Sequence, residues 1–349
     1  MAGRFKITLE DFLKSIVGHE MHHIAIIKVS LNLNCDSFQS LRTLVVTLMP
    51  TTKTWTMNKN NIQLIKLNQT YLKLQMKPLT KIGRFLYGIG LIALGIHQLI
   101  IKDFRSEILP PFPAWAHQYV VFPRLAGRAV IGAVTMISGV FMTRPVISKN
   151  ICLYAGFCFL AIIITCQLPY VLIFSADKAS RLDVWFNAGE ELAYCGGAFV
   201  MAGSFAENNW SRNKKNLFLR WLEKLIPVGR IFFAILMLLF GCSHFVFTDF
   251  VATMVPRWIG APLFWTYFAG AALIASSIAI IFKIWIKVVA LLLAIMLFLF
   301  FIFFHIPDAV ANPYTMHGNE IVRAMVALLF CGIALVIAST NHNRSLPYK

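Results

Sequence analysis

From residue 80 onward the chain alternates long apolar runs with short polar ones. The runs cover about 84–101, 124–142, 150–174, 188–205, 230–247, 263–282, 287–305 and 321–340. Each is close to the roughly 20 residues that a helix needs to cross a bilayer. The third is the purest, with no charged residue between Ile151 and Phe174. Arg128 interrupts the second, and the fourth is short and opens on Glu190 and Glu191. The pattern predicts an all-α integral membrane protein with about eight transmembrane helices.

The runs also recur. Residues 83–110, GRFLYGIGLIALGIHQLIIKDFRSEILP, align without a gap to residues 229–256, GRIFFAILMLLFGCSHFVFTDFVATMVP. The identical pairs are Gly83 and Gly229, Arg84 and Arg230, Ile89 and Ile235, Gly95 and Gly241, Asp103 and Asp249, Phe104 and Phe250, and Pro110 and Pro256. Most are glycine, proline or charged, so shared oiliness does not explain the match. Gapped matches extend it: Ala126-Gly127 with Ala269-Gly270, Pro169 with Pro307, and Glu191-Leu192 with Glu320-Ile321. Each half reads as four helices. Four is even, so the expected layout is two parallel four-helix repeats. Repeat one is expected over 76–205, a basic linker over 206–228, repeat two over 229–340 and a tail over 341–349. In the linker, Asn216 to Leu225 forms an amphipathic segment carrying Trp221, suited to the membrane interface. Gly88, Gly90 and Gly95, and Gly127, Gly132 and Gly139, make faces on which helices approach closely.

Composition agrees with the pattern. Hydrophobic residues make up 58% of the chain and charged ones 13%, with a mean hydropathy of +0.70. A soluble domain carries roughly 25% charged residues. The net charge of +17 would suggest nucleic acid in a soluble protein. Here the basic residues cluster between apolar runs and no nucleic-acid motif is present, so the bilayer is the expected partner and nucleic acid is not. The segments around Lys77 to Arg84, Arg144 to Lys149, Arg212 to Arg230 and Lys283 to Lys287 hold 13 of the 23 Lys and Arg that follow residue 76. The charge bias puts them inside, which predicts a multi-pass protein of the cell (cytoplasmic) membrane with both termini cytoplasmic. The seven cysteines contain no Cys-x-x-Cys pair, so they offer no redox dithiol, haem attachment or zinc spacing.

Residues 1–75 differ in character. His19-Glu20-Met21-His22-His23 places His19 and His23 at i, i+4, a metal-ligand spacing that also fits the zincin pattern. No third ligand or cleft accompanies it. The segment 1–30 resembles the last helix of DinB-like proteins, in which two such histidines join a third from an earlier helix. The resemblance makes His19 and His23 remnants of a metal site whose other helices are missing. Residues 31–75 have poor periodicity and read as an irregular linker. Met76 directly precedes the first apolar run, so residues 1–75 are expected to be the tail of an upstream reading frame plus translated intergenic sequence.

Polar groups in apolar runs are costly and each needs a reason. His97 and Gln98 near the outer end of the first helix align with Ser243 and His244. They read either as proton or quinone contacts or as helix-packing hydrogen bonds. Glu191 and Glu320 each open the last helix of their half, where the helix dipole favours a carboxylate. His305, Asp308 and His317 surround the loop before Glu320 and form a candidate polar cluster with it for a proton or a metal. Asp103 and Asp249 are expected to stabilise the loops that lead to Pro110 and Pro256. Arg84 and Arg230 are expected to anchor their helices to headgroups.

The repeated unit, with Gly-Arg at its start, Gly95 or Gly241, then Asp-Phe and Pro, and a Glu opening the fourth helix, resembles the DoxX-like membrane family over about 80–204 and 226–340. Such proteins resemble the membrane subunit of a thiosulfate:quinone oxidoreductase, and some are associated with thiol-stress complexes. The resemblance implies a membrane subunit or partner of a quinone-linked or thiol redox system, without independent catalytic activity. Quinone is the cofactor it leaves in play, since the chain carries no cofactor motif of its own. The alternatives are a small-solute or lipid transporter with its path between the halves, and a non-catalytic assembly protein.

Overall fold

A computed structural model describes residues 59–100, 109–110, 132–135, 137–138, 140, 148–205, 217–315 and 318–340. The chain divides into two units, 1–62 and 63–349; of the first, only 59–62 are among the described residues, and they are helical. All regular structure among the described residues is helical. Six helices are long and apolar enough to cross a membrane: Pro78–Ile100, Lys149–Phe174, Ile226–Val246, Pro262–Phe282, Ile286–Ala311 and Asn319–Ser339. The chain is an all-α membrane protein.

Two of the eight expected spans are not among these six. The segment at 188–205 is a helix, α3 (Phe186–Ser204), but Glu190 and Glu191 lower its apolar character and most of its residues are buried by protein. Of 124–142, only 132–135, 137–138 and 140 are described, and these are helical. The first helix, α1 (Lys59–Ile100), starts well before residue 76 and contains Pro78. Residues 59–75 are therefore helical where a linker was expected. Leu64, Leu67, Tyr71 and Leu74 are spaced three, four and three apart, a helical stripe too short to register as a span.

The remaining elements follow in order. The third apolar run is α2 (Ser148–Ile162), which continues through π-helical turns at Ile163–Gln167 and Tyr170–Phe174. A short helix, α4 (Leu217–Glu223), buries Leu219 and Leu222 and leaves Trp221 exposed. It lies where the amphipathic segment was expected. Then come α5 (Ile226–Val246), α6 (Thr248–Thr253), α7 (Pro262–Phe282) and α8 (Ile286–Phe300). A π-helical turn at Phe301–His305 joins α8 to α9 (Ile306–Ala311), and α10 (Asn319–Ser339) closes the fold. The first π turn of α2 and that of α8 each end two residues before a proline, Pro169 or Pro307. A proline cannot donate to the carbonyl four residues back and crowds it, and a wider turn relieves that clash.

The packing is set by glycine. At Gly196 on α3 an added Cβ would lie 2.5 Å from the carbonyl oxygen of Gly229 on α5. At Gly332 on α10 it would lie 2.5 Å from the carbonyl oxygen of Gly83 on α1. A further pair of close approaches joins Gly132 to Gly95 and Gly241 to Gly270, with the added Cβ 2.9 and 3.0 Å from the opposing carbonyl oxygen. No side chain fits at such separations, so backbones touch, as van der Waals association between membrane helices requires. Tyr194 of α3 stacks on Phe330 of α10 with ring centroids 5.9 Å apart. Tyr87, Leu91, Phe233 and Met237 are fully buried around this contact. Phe264, Trp265, Phe268 and Trp258 stay exposed, as side chains bordering lipid do.

Candidate functional site

The polar groups inside this apolar body sort into those that tie helices together and those that do not. The arginines tie. Arg84 donates from Nε to Ser204 Oγ at 2.8 Å and from its second nitrogen to the Ser204 carbonyl, and it lies 3.7 Å over the Phe205 ring. Arg230 donates to the carbonyls of Ile280 and Ile281, the latter at 2.8 Å. Both guanidinium groups turn inward onto the C-terminal end of a neighbouring helix, α3 or α7, and not outward to headgroups as expected. Helix C-termini expose unpaired carbonyls and the negative dipole end, and these outcompete a mobile lipid.

The cysteines tie as well. Cys195 donates its thiol to the Gly156 carbonyl of α2 at 3.2 Å, and Cys331 to the Ala294 carbonyl of α8 at 3.3 Å. Cys152 is also buried, and the six cysteines among the described residues are all free. A buried thiol serving as a hydrogen-bond donor is a packing element and not a redox centre.

Glu191 does not tie. It is 0% exposed, and neither carboxylate oxygen has a hydrogen-bond partner, although the Gln167 side chain is near enough to act on it. Gln167 is itself buried, at the end of the π turn of α2. The helix begins at Phe186, which puts Glu191 in its second turn. There the free N–H groups of the helix start no longer reach it, so the dipole account expected from the sequence does not explain this residue. Its neighbour Glu190 accepts a bond from the Tyr194 hydroxyl at 3.2 Å. The loop before α3 is clasped by Arg181 and Asp183, 2.6 Å apart; hydrogen bonding from Arg181 holds that carboxyl below its ordinary range.

Glu320 is different. It is the second residue of α10 and pairs with Arg323 at 3.1 Å. Asp308 lies close enough to share a hydrogen bond with Glu320 and accepts one from Asn312 at 2.9 Å. His305 stands within the field of Arg323 and Asp308. The fold thus gathers His305, Asp308 and Glu320, with Arg323 as an added cation. His317 lies outside the described residues. Among those described, no three His, Cys, Asp or Glu side chains form a metal site.

His97 and Gln98 are buried near the end of α1, and both have polar partners. His244 bonds through Nδ1 to the Phe240 carbonyl of its own helix at 2.7 Å, and Ser243 donates to the same carbonyl, also at 2.7 Å. His244 thus has its Nδ1 engaged within its own helix. Asp249 is exposed in the first turn of α6. His19, His23, Asp103 and Arg128 lie outside the described residues, and Pro110 and Pro256 lie in loops.

Sequence reading missed two features. Leu-x-x-Cys-Gly-x-Ala-x-Val-x-Ala occurs at 192–202 and again at 328–338. In that register Glu191 stands opposite Ala327, not Glu320, which corrects the expected pairing. Likewise Gly132 packs on Gly95 as Gly270 packs on Gly241, whereas the expected alignment set Gly127 opposite Gly270. Ungapped comparison at a separate offset for each helix would have found both. No family model, curated protein or solved structure matches the chain.

Proposed function

We propose that this chain is a duplicated, DoxX-like unit of two parallel four-helix repeats, eight helices in all, that serves as a membrane subunit or partner of a quinone-linked or thiol redox system. The observation that carries the duplication is reciprocal packing. Gly83 on Gly332 and Gly229 on Gly196 place the first helix of each half on the last helix of the other. The Cys195 and Cys331 thiols repeat one bond, and the π turns at 163–167 and 301–305 fall at one register before Pro169 and Pro307. The redox assignment rests on the family resemblance. Cysteines engaged with helix carbonyls leave dithiol chemistry to a partner, which agrees with a subunit lacking its own catalysis. A cell-membrane location with cytoplasmic termini follows from the charge bias.

The alternative of transport between the halves is disfavoured by the same contacts. Backbones touching at two glycine pairs and the Tyr194–Phe330 stack leave no room there for a solute. The test is detergent purification followed by extraction of bound small molecules. Co-purifying quinone, lost in His97→Ala, supports the redox reading. Absence of quinone together with flux in proteoliposomes would replace it with transport, and loss of a partner's stability alone in a deletion strain would replace it with assembly.

A further inference from the structure

We propose that the Glu191 carboxyl holds a proton at neutral pH and is an intramembrane proton-binding site, with Gln167 on the π turn of α2 as its hydrogen-bonding companion. This does not rest on the redox reading; it would hold equally in a transporter.

An ionised carboxylate removed from water costs several kcal/mol even after relaxation. Three things offset that cost: a cation, several hydrogen-bond donors, or water. The described cations on the elements packed around α3 are engaged elsewhere or exposed: Lys149 of α2 pairs with Glu223 at 2.8 Å, and Lys81 of α1 is exposed. Arg84 of α1 is on Ser204, Arg230 of α5 on the α7 carbonyls, and Arg323 of α10 on Glu320. Arg181 in the preceding loop is on Asp183. The other titratable groups on and around α3 supply no bond to the Glu191 carboxyl. Tyr87 of α1 donates its hydroxyl to the Tyr194 carbonyl at 2.7 Å, and Cys195 donates to Gly156. Tyr194 donates to Glu190, and His244 of α5 is on Phe240. On α2, Cys152 is buried and Cys158 is exposed, while Cys331 of α10 is on Ala294. His97 of α1 has a polar partner, but both Glu191 oxygens are without one.

Both oxygens expose less than 1 Å², so no molecule reaches them in this conformation. The one ligand small enough is a proton. Protonation converts the carboxylate to a neutral acid, and its new O–H donates to the Gln167 carbonyl oxygen while the Gln167 amide donates to the acid's other oxygen. Gln167 closes the π-helical turn before Pro169 and is itself only 1% exposed, so its amide is buried beside the acid and not in solvent.

The test is infrared spectroscopy of the full chain in liposomes, in light and heavy water, at neutral pH. The wild type is expected to show a protonated-carboxyl C=O band that shifts down in heavy water, is lost in Glu191→Gln and is kept in Glu320→Gln. A wild type without the band, or a band that survives Glu191→Gln, overturns the proposal. Should Glu191→Gln fail to insert, Gln167→Leu decides: a band moved by loss of the amide supports the pairing, and an unmoved band overturns it.

Discussion

Glu191 and Glu320 sit on the last helix of their respective halves, and the fold treats them in opposite ways. Glu320 is at the rim, in the first turn of α10, with Arg323 and Asp308 beside it. Glu191 is in the second turn of α3, wholly buried, with no hydrogen bond to either oxygen. The contacts that hold the helices together behave otherwise, since glycine and cysteine make matched contacts in both halves, while Arg84 reaches the end of α3 and Arg230 the end of α7. Packing is shared and polar chemistry is not. Helix seams tolerate little change because each atom faces another at contact distance. A polar side chain beside a seam is less tightly constrained, and there α3 and α10 differ.

The comparison breaks most directly at the seams. Gly196→Ala and Gly332→Ala should each lose about 1–3 kcal/mol, and by similar amounts, as thermal unfolding in detergent would show; a loss confined to one would mean that the two seams are not equivalent. Arg230→Ala should cost about 2 kcal/mol, because its charge-assisted bonds to the α7 carbonyls disappear. Arg230→Lys should recover only part of this, since a single ammonium cannot span both carbonyls. Cys195→Ala and Cys331→Ala should each cost about 0.5–1 kcal/mol, and a maleimide probe should label Cys158 in detergent while leaving Cys195 and Cys331 untouched. The acids come last in stability. Glu320→Gln should shift unfolding by about 1 kcal/mol, since the pair joins a mostly buried carboxyl to an Arg323 that stays open to solvent. Glu191→Gln should cost nothing or stabilise, because a neutral amide replaces a neutral acid of the same shape; a loss of several kcal/mol there would show that an ionised carboxylate is paired in the native protein.

Much of the fold was legible because spanning helices announce themselves by length and apolarity. Six of the eight predicted runs are helices able to cross a membrane, and Trp221 lies on a short helix where one was expected. The acids were harder. The apolar stretch of α3 appears to start at Glu190, so Glu191 read as a helix-opening residue. The true start at Phe186 lies in Leu182–Asn187, where 3-10 and α-helical turns merge and hydropathy changes little. Arg230 was placed correctly near a helix start, whereas Arg84 lies well inside α1, which begins at Lys59; both were aimed the wrong way, because a sequence holds no record of which carbonyl ends lie beside a guanidinium.

The sequence by itself determined that this is an all-α membrane chain, where most of its helices run, and that glycine and arginine recur at matched places. These follow from local terms: hydropathy over about 20 residues and the backbone preferences of glycine and proline. Tertiary structure alone decided that Gly83 meets Gly332 and not a nearer glycine, and that Glu191 is left without a partner. Those outcomes depend on which helix faces are pressed together. That choice is made by contacts between separate helices, and no local pattern encodes it.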